Sequence, residues 1–360
     1  MRRERDDIRY MSQAIALALK ARDPRPNPYV GALLVKNGRV ISRGFHRGPG
    51  RPHAEVVCLK AAGRRARGAV LYVTLEPCRH FGRTPPCAPE IIKAGVRRVV
   101  VAGADPNPLN CGQGIRQLRR AGIEVTTNVL SVEAKETNRA FFKYITRGMP
   151  YVCLKLAQSL DGKIATRSFR SRWITGGQSR KFAHRMRRDF DAIMVGSNTL
   201  LQDDPGLCGA SKNIKIVVDT NLKVSLGAKI FEQGEVIIAT CAKRGIRRKR
   251  QWGKMARIVV IERDDDRRVD LKALMFELAG QGISKILVEG GGVLAGSLLD
   301  ARLVDEAMFF IAPKIIGGRD APGSVMGQGA LYPDKAIELG QVSWQKVGDD
   351  FLLRGYIINP

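Results

Sequence analysis

The stretch Pro52-His53-Ala54-Glu55, with Glu76-Pro77-Cys78 and then Cys87 behind it, sets the terms for the rest of the chain. One imidazole and two thiols in this order make a three-ligand zinc set. Three protein ligands leave the fourth tetrahedral position to water, as in a catalytic zinc site and unlike a closed structural one. The carboxylate two residues after the histidine, Glu55, is placed to move protons rather than to bind the ion. The plain alternative is a helix-opening histidine with buried thiols, since a lone free cysteine usually behaves as a small hydrophobe. A histidine, an acid, prolines and two cysteines in the required order weigh against it.

His-x-Glu followed by Pro-Cys and a second Cys is the signature of zinc nucleobase deaminases. Its usual form has two residues between the cysteines. Here Cys78 and Cys87 enclose Arg79-His80-Phe81-Gly82-Arg83-Thr84-Pro85-Pro86. The surrounding pattern alternates strand and helix. Asp6 and Asp7 ahead of Ile8, Met11, Ile15 and Ala18 predict a capped amphipathic helix. Asn37-Gly38 is a type I′ turn signal that pairs the run 29–35 with Val40-Ile41-Ser42. Helices are expected over 53–62, 88–94 and 115–121, and buried strands over 69–75 and 99–101. This order predicts a mixed sheet flanked by helices. Metal ligands at two helix starts around one strand end can then converge.

At 360 residues, the chain suits two domains, each able to bury its own core. No apolar run reaches transmembrane length, and no apolar signal core follows Met1-Arg2-Arg3. Seven cysteines without a framework read as a reduced cytoplasmic chain. A net charge of +27 fits a polyanionic partner, a phosphorylated substrate or a generally basic proteome. A helical stretch over 132–144 ends at the breaker cluster Arg147-Gly148-Met149-Pro150, which places a boundary between 148 and 149. Apolar runs at 151–157, 192–195, 214–218, 236–239, 258–261, 286–288 and 307–311 predict the strands of a second α/β domain.

Several segments carry a resemblance. Pro26-Asn27-Pro28-Tyr29-Val30-Gly31, Thr74-Leu75-Glu76-Pro77-Cys78, Gly82-Arg83-Thr84-Pro85-Pro86-Cys87 and Asp105-Pro106-Asn107-Pro108 lie in the first half. Lys155-Leu156-Ala157-Gln158-Ser159-Leu160-Asp161-Gly162, Ser171-Arg172-Trp173-Ile174-Thr175, Asp203-Asp204-Pro205, Val288-Glu289-Gly290-Gly291-Gly292 and Ala312-Pro313-Lys314 lie in the second. Over nearly its whole length the chain resembles the bifunctional riboflavin-biosynthesis deaminase/reductase family, in which the long loop between the cysteines is normal.

The resemblance implies a cytidine-deaminase-like mixed sheet over 1–148 and a dihydrofolate-reductase-like α/β domain over 149–360. It implies a zinc-dependent deamination of a diaminopyrimidinone carrying a ribosylamino 5′-phosphate, and then an NADPH-dependent reduction of the ribosyl to a ribityl group. It also implies self-association. His53, Cys78 and Cys87 would hold zinc, with Glu55 as proton shuttle. Asn27, His46, Arg83, Thr84, Asp105 and Asn107 match substrate positions, though each is equally readable as a turn or cap residue. Ala157, Trp173, Thr199, Asp203, Thr220 and the turn Gly291, Gly292, Val293, Leu294, Ala295, Gly296 and Ser297 match cofactor positions. Lys155, Ser171, Arg187, Leu207 and Glu289 match reductase substrate positions.

On physical grounds, Gly290-Gly291-Gly292 would let backbone amides approach a phosphate at a helix start. The Rossmann spacing is missed, because the third glycine, Gly296, comes one residue late. After Leu207 the family usually has Thr-x-Arg holding the substrate phosphate. This chain has Cys208-Gly209-Ala210-Ser211-Lys212, in which Lys212 offers a point charge in place of a bidentate fork. The basic run Lys243, Arg244, Arg247, Arg248, Lys249 and Arg250 reads as a solvated face, because no aromatic interleaves with it before Trp252. Two other functions stay open. In one, deamination survives beside a non-catalytic second half, favoured by the missing Thr-x-Arg and opposed by intact Lys155, Asp203 and Glu289. The other is an RNA or tRNA deaminase, motivated by the charge and opposed by the Gly-Arg-Thr-Pro-Pro-Cys loop and the second domain. No membrane partner is expected.

Overall fold

The computed structural model describes residues 2–82, 84–207, 213–242, 252, 253 and 255–358. The chain divides into two units, Met1–Gly148 and Met149–Pro360. In the first, Asn37 and Gly38 both take positive φ (50° and 74°), the backbone of a type I′ turn. They join β1 (Gly31–Lys36) to β2 (Arg39–Phe45) as an antiparallel hairpin. On its other side β1 pairs antiparallel with β3 (Val70–Val73), which pairs parallel with β4 (Arg98–Val101). A short strand β5 (Glu124–Thr126) completes the sheet, in the order β2-β1-β3-β4-β5. At three residues, β5 is too short to leave an apolar run, and the sequence pattern missed it.

The two faces of this sheet are covered separately. On one side α1 (Arg2–Ala18) and α5 (Ser131–Thr137) meet Leu33, Tyr72 and Val100. On the other, α2 (Ala54–Ala62), α3 (Cys87–Lys93) and α4 (Gln113–Arg120) meet Leu34, Leu71 and Val99. Successive residues of one strand thus serve opposite cores, which is the period-two rule.

Two expectations need correction. Asp6 and Asp7 do not cap α1, which starts a turn earlier at Arg2. Asp7 belongs to the buried stripe of that helix. Its carboxylate accepts from Arg98 Nη1 and Nη2 (3.0 and 2.6 Å) and from the Tyr72 hydroxyl (2.8 Å). The helix expected over 132–144 is two helices, α5 and α6 (Arg139–Arg147), divided at Asn138. That side chain is committed elsewhere: its Oδ1 accepts from the Tyr29 amide (2.7 Å), and its Nδ2 donates to the Tyr29 carbonyl (2.9 Å). It thereby fixes the Pro26–Val30 segment.

The second unit is a nine-stranded sheet. Its seven parallel strands are the apolar runs of the sequence: β6 (Tyr151–Ser159), β7 (Ala192–Gly196), β8 (Ile214–Val218), β9 (Val236–Thr240), β10 (Arg257–Val260), β11 (Lys285–Val288) and β12 (Glu306–Ala312). An unanticipated hairpin, β13 (Leu339–Val347) and β14 (Asp350–Ile357), pairs antiparallel onto β12. The strand order is β10-β9-β8-β7-β11-β6-β12-β14-β13. Ile193, Val195, Val217 and Ile238 face one core, and Ala192, Met194, Ile216 and Ile237 the other. Burial on both faces explains the unbroken apolar runs of the parallel strands. β13 is exposed along most of its length, so its residues carry no such run. The helices α7 (Gly177–Met186), α8 (Ser197–Asp203), α9 (Leu271–Gly280) and α10 (Gly292–Asp300) connect the strands.

The Asp7–Arg98 pair joins α1 to β4, and each side chain is only 7% exposed. Arg98→Met should strand a carboxylate in the core and lower unfolding free energy by about 3–5 kcal/mol in urea titrations. A loss below about 1 kcal/mol, the range of exposed pairs, would show that the pair does not hold the helix.

Candidate active sites

The first site is built where β3 leaves the sheet between two helix starts. His53 is the extended residue that precedes α2, and Cys87 is the first residue of α3. Cys78 lies just past the end of β3. Its Sγ is 3.3 Å from His53 Nδ1 and 3.2 Å from Cys87 Sγ. All three ligand atoms lie within 4.8 Å of one another. Zinc–sulfur and zinc–nitrogen bonds at tetrahedral angles put neighbouring ligand atoms roughly 3.5 Å apart, so the donor set fits this ion. His53 Nε2 lies 2.9 Å from the Thr84 hydroxyl. An Nε2–H donated to that oxygen leaves the Nδ1 lone pair free to face the cysteines.

The thiols also answer one another. The Cys78 amide donates to Cys87 Sγ (3.0 Å) and the Cys87 amide to Cys78 Sγ (3.3 Å). The hydrogen bond from Cys87, helped by His53, draws the Cys78 thiol down to about 4, while burial and the neighbouring Cys78 push Cys87 up. A divalent cation is what allows both sulfurs to ionise together. Glu55 Oε1 sits 3.0 Å from Cys87 Sγ. Burial raises this carboxyl above its ordinary range, against the opposing pull of His53.

A cavity of about 330 Å³ opens onto these groups, within the size range of small-molecule sites. Asn27, His46, Thr84, Asp105 and Asn107 line it together with Glu55 and the three ligands. Asn27 Nδ2 donates to His46 Nε2 (2.9 Å), so the other ring nitrogen carries the proton towards the Pro52 carbonyl (3.2 Å). Arg83 lies outside the described residues.

Two residues of this site were not singled out by sequence reasoning. His80 lines the cavity, and its Nδ1 is buried with no hydrogen-bond partner among the described residues. Its place between the two cysteines was the available signal. Glu76 is buried, and its carboxylate accepts from the amides of Asp105 (3.2 Å), Gly112 (2.9 Å) and Ile115 (3.1 Å). It ties the end of β3 to the loop that carries Asp105 and Asn107. Nothing local in the sequence announces such a contact.

In the second unit Lys155 on β6, Glu289 at the end of β11 and Arg187 after α7 form one cluster. Arg187 grips Glu289 with Nε and Nη2 (2.8 and 2.9 Å), and Lys155 Nζ is 3.8 Å from the same carboxylate. Close by in sequence to the exposed Trp173, Ser171 donates to Asp203 Oδ1 (2.6 Å). Arg180 stacks on the Trp173 ring at 4.3 Å. A cavity of about 720 Å³ is lined by Ser171, Thr199, Asp203, Thr220, Gly291, Gly292, Val293, Leu294 and Ser297. Ala157, Trp173, Ala295, Gly296, Lys155, Arg187, Leu207 and Glu289 are not among its lining residues.

Two of the glycines after Glu289 also answer to backbone packing. A Cβ on Gly292 would stand 2.2 Å from the Gly323 carbonyl oxygen, and one on Gly296 2.3 Å from the Gly327 nitrogen. Both are demanded by backbone packing. Only Gly291, with nothing nearer than the Thr199 hydroxyl at 3.6 Å, faces open space. Asp219, at 1% exposure, also lines the cavity. Its Oδ1 is buried and has no hydrogen-bond partner among the described residues. Residues 208–212, including Lys212, and the basic run 243–250 lie outside the described residues.

Residues 4–103 match the cytidine and deoxycytidylate deaminase zinc-binding region, and residues 150–353 match the RibD C-terminal domain. The riboflavin biosynthesis protein RibD of Aquifex aeolicus is 41% identical over 96% of this chain and 97% of its own. That of Escherichia coli is 41% identical over 88% and 90%. Among solved structures, Acinetobacter baumannii RibD superposes with a TM-score of 0.86 at 34% identity, covering 99% of this chain and 100% of that one. A Thermotoga maritima diaminohydroxyphosphoribosylaminopyrimidine deaminase/5-amino-6-(5-phosphoribosylamino)uracil reductase superposes with a TM-score of 0.84 at 32% identity, with the same coverage.

The Glu289 cluster has a pH signature. Burial alone would raise this carboxyl, but the Lys155 charge and the Arg187 hydrogen bonds outweigh it and bring it from 4.5 down to about 2. A folded value below the unfolded one stabilises the protein above the carboxylate range. That stability is lost as pH falls through 4.5 towards 2, and amounts to roughly 3 kcal/mol. Glu289→Gln should therefore flatten the acid limb of the stability–pH curve in unfolding titrations. An unchanged limb would show that the cluster does not hold the carboxylate ionised.

Proposed function

The chain belongs to the RibD family of riboflavin biosynthesis proteins, and from this premise we propose which of its residues carry the two reactions. It is a bifunctional enzyme that uses zinc and NADPH. The first unit deaminates a diaminopyrimidinone bearing a ribosylamino 5′-phosphate. The second reduces the ribosyl group of the product to ribityl.

His53, Cys78 and Cys87 hold the zinc, and Thr84 keeps His53 in the liganding orientation. Zinc, when bound, supplies a positive centre at which water ionises near neutral pH. Glu55 accepts one proton from the attacking water and passes it to the pyrimidine ring nitrogen; it then takes the second from the newly added hydroxyl and gives it to the amine, which departs as ammonia while the carbonyl forms. Burial suits it to this exchange, because a carboxyl lifted towards neutrality both takes and gives a proton readily. Asn27, oriented by His46, Asp105 and Asn107 orient the pyrimidine. Arg83 takes the phosphate, and His80 offers its unused ring nitrogen to the substrate.

In the second unit Thr199, Asp203, Thr220, Gly291–Leu294 and Ser297 hold NADPH, with Ala157, Trp173, Ala295 and Gly296 supporting the same pocket. Lys155, Ser171, Arg187, Leu207 and Glu289 hold the sugar, and Lys212 takes the part of the missing arginine. The divisions 1–148 and 149–360 are the deaminase and reductase domains.

Self-association fits the outer edge of the large sheet, where Val342 and Trp344 on β13 and Phe351 on β14 are exposed. A cytoplasmic setting fits a site that needs two reduced thiols. Among the described residues, no helix is long and apolar enough to cross a membrane.

The observation that carries the deaminase reading is the convergence of three ligand atoms with Glu55 on one cavity. Glu55→Gln should retain zinc by metal analysis and lose at least about a hundredfold in ammonia release, the usual weight of a general base. An active variant would remove Glu55 from the chemistry. Zinc-replete protein given the diaminopyrimidinone ribosyl phosphate should release ammonia with or without NADPH, and should consume NADPH when it is present. Ammonia without NADPH consumption would leave a deaminase beside an inactive reductase domain.

A further inference from the structure

NADPH differs from NADH by one phosphate on the adenosine ribose, which carries about two negative charges at neutral pH. A site that prefers NADPH over NADH therefore needs cationic donors placed at that phosphate. The cationic side chains lining the 720 Å³ cavity are Lys223, Arg268 and Arg319. Lys223 lies after β8 and Arg268 just before α9. Arg263 Nη2 donates to Asn221 Oδ1 (3.1 Å), which ties the turn carrying Arg268 to the turn carrying Lys223. Arg268 Nη1 reaches Ser297 Oγ on α10 (3.3 Å), one and a half turns from the Gly291 end of that helix.

Lys223 and Arg268 make no ion pair with any described residue, so their charge is not consumed by the fold. Four carboxylates, those of Asp203, Asp219, Asp264 and Asp320, also line the cavity. Asp264 is engaged by the Arg268 amide (2.7 Å), and Asp219 Oδ2 by the Val224 amide (2.9 Å). Asp219 Oδ1 remains a buried, unused acceptor. It suits a hydroxyl or amino donor of the adenosine and would repel a phosphate placed directly on it. The phosphate thus belongs with the two cations rather than with Asp219.

We propose that Lys223 and Arg268 bind the adenosine 2′-phosphate of NADPH and set the preference for NADPH over NADH. The inference rests on the reading that this cavity holds the dinucleotide. Charged hydrogen bonds of this kind are worth about ten- to a hundredfold in affinity each. They should also make NADPH binding more sensitive to salt than NADH binding.

The test is equilibrium binding to the full-length, zinc-loaded protein, read by calorimetry without substrate. The probes are NADPH, NADH, adenosine 2′,5′-bisphosphate and adenosine 5′-monophosphate. Lys223→Ala and Arg268→Gln should each weaken NADPH and the bisphosphate about ten- to a hundredfold. They should leave NADH and the monophosphate unchanged and reduce the salt dependence. Arg268→Lys should restore part of the loss. The thermal midpoint of each variant checks that the fold is intact. Equal weakening of NADPH and NADH, or none, would overturn the phosphate assignment while leaving the cavity as a dinucleotide site. Wild-type protein that binds neither dinucleotide would overturn that reading itself, and the proposal with it.

Discussion

The N-terminal unit depends on a single convergence: two helices begin where one buried strand ends. β3 is wholly buried, so its position is set by both cores. The chain beyond it must emerge between the starts of α2 and α3. A helix start offers unpaired amides and the positive end of the helix dipole. That environment points the Cys87 amide at the Cys78 sulfur and leaves the imidazole of His53 outside the helix, free to turn towards the sulfurs. The metal-ligand geometry is thus a property of the sheet as much as of the ligands.

Around this point the protein uses buried charge to hold loops. Glu76 gathers three amides from residues 105–115, and Asp7 with Arg98 locks α1 to β4. Glu289 does the same for Lys155 and Arg187 in the second unit. Each such carboxylate has lost water and must be repaid by hydrogen bonds or opposite charge. The return is positional. Side chains that act on substrate are carried by segments that could not otherwise be held within the tolerance chemistry demands.

The two sites differ in how they meet a ligand. The zinc cavity is small and surrounded by groups already bonded to one another, such as the Asn27–His46–Pro52 chain. The larger cavity is lined by glycines, hydroxyls and cations together with carboxylates and apolar side chains. A compact pyrimidine next to a reacting centre needs fixed donors. A long dinucleotide instead needs an open trough with charge at one end.

Much of this was legible in the order of residues. The ligands, Glu55, the hairpin at Asn37-Gly38 and the seven parallel strands follow from local chemistry, because metal ligation, turn backbone and burial on both faces each restrict residue type in sequence. The misreadings have one cause. Asp7 looked like a helix cap and Asn138 like a helix interior. Their partners are Arg98 and Tyr29, both distant in sequence. β13 was invisible because its exposed residues need not be apolar, and the short run Phe351-Leu352-Leu353 is marked as a strand, β14, only by its pairing with β12. The chain by itself determined which chemistry is present, since side-chain type decides what can bind metal or move a proton. The tertiary structure alone decided which groups face one another, because burial, backbone approach and charge pairing depend on contacts that the linear order does not contain.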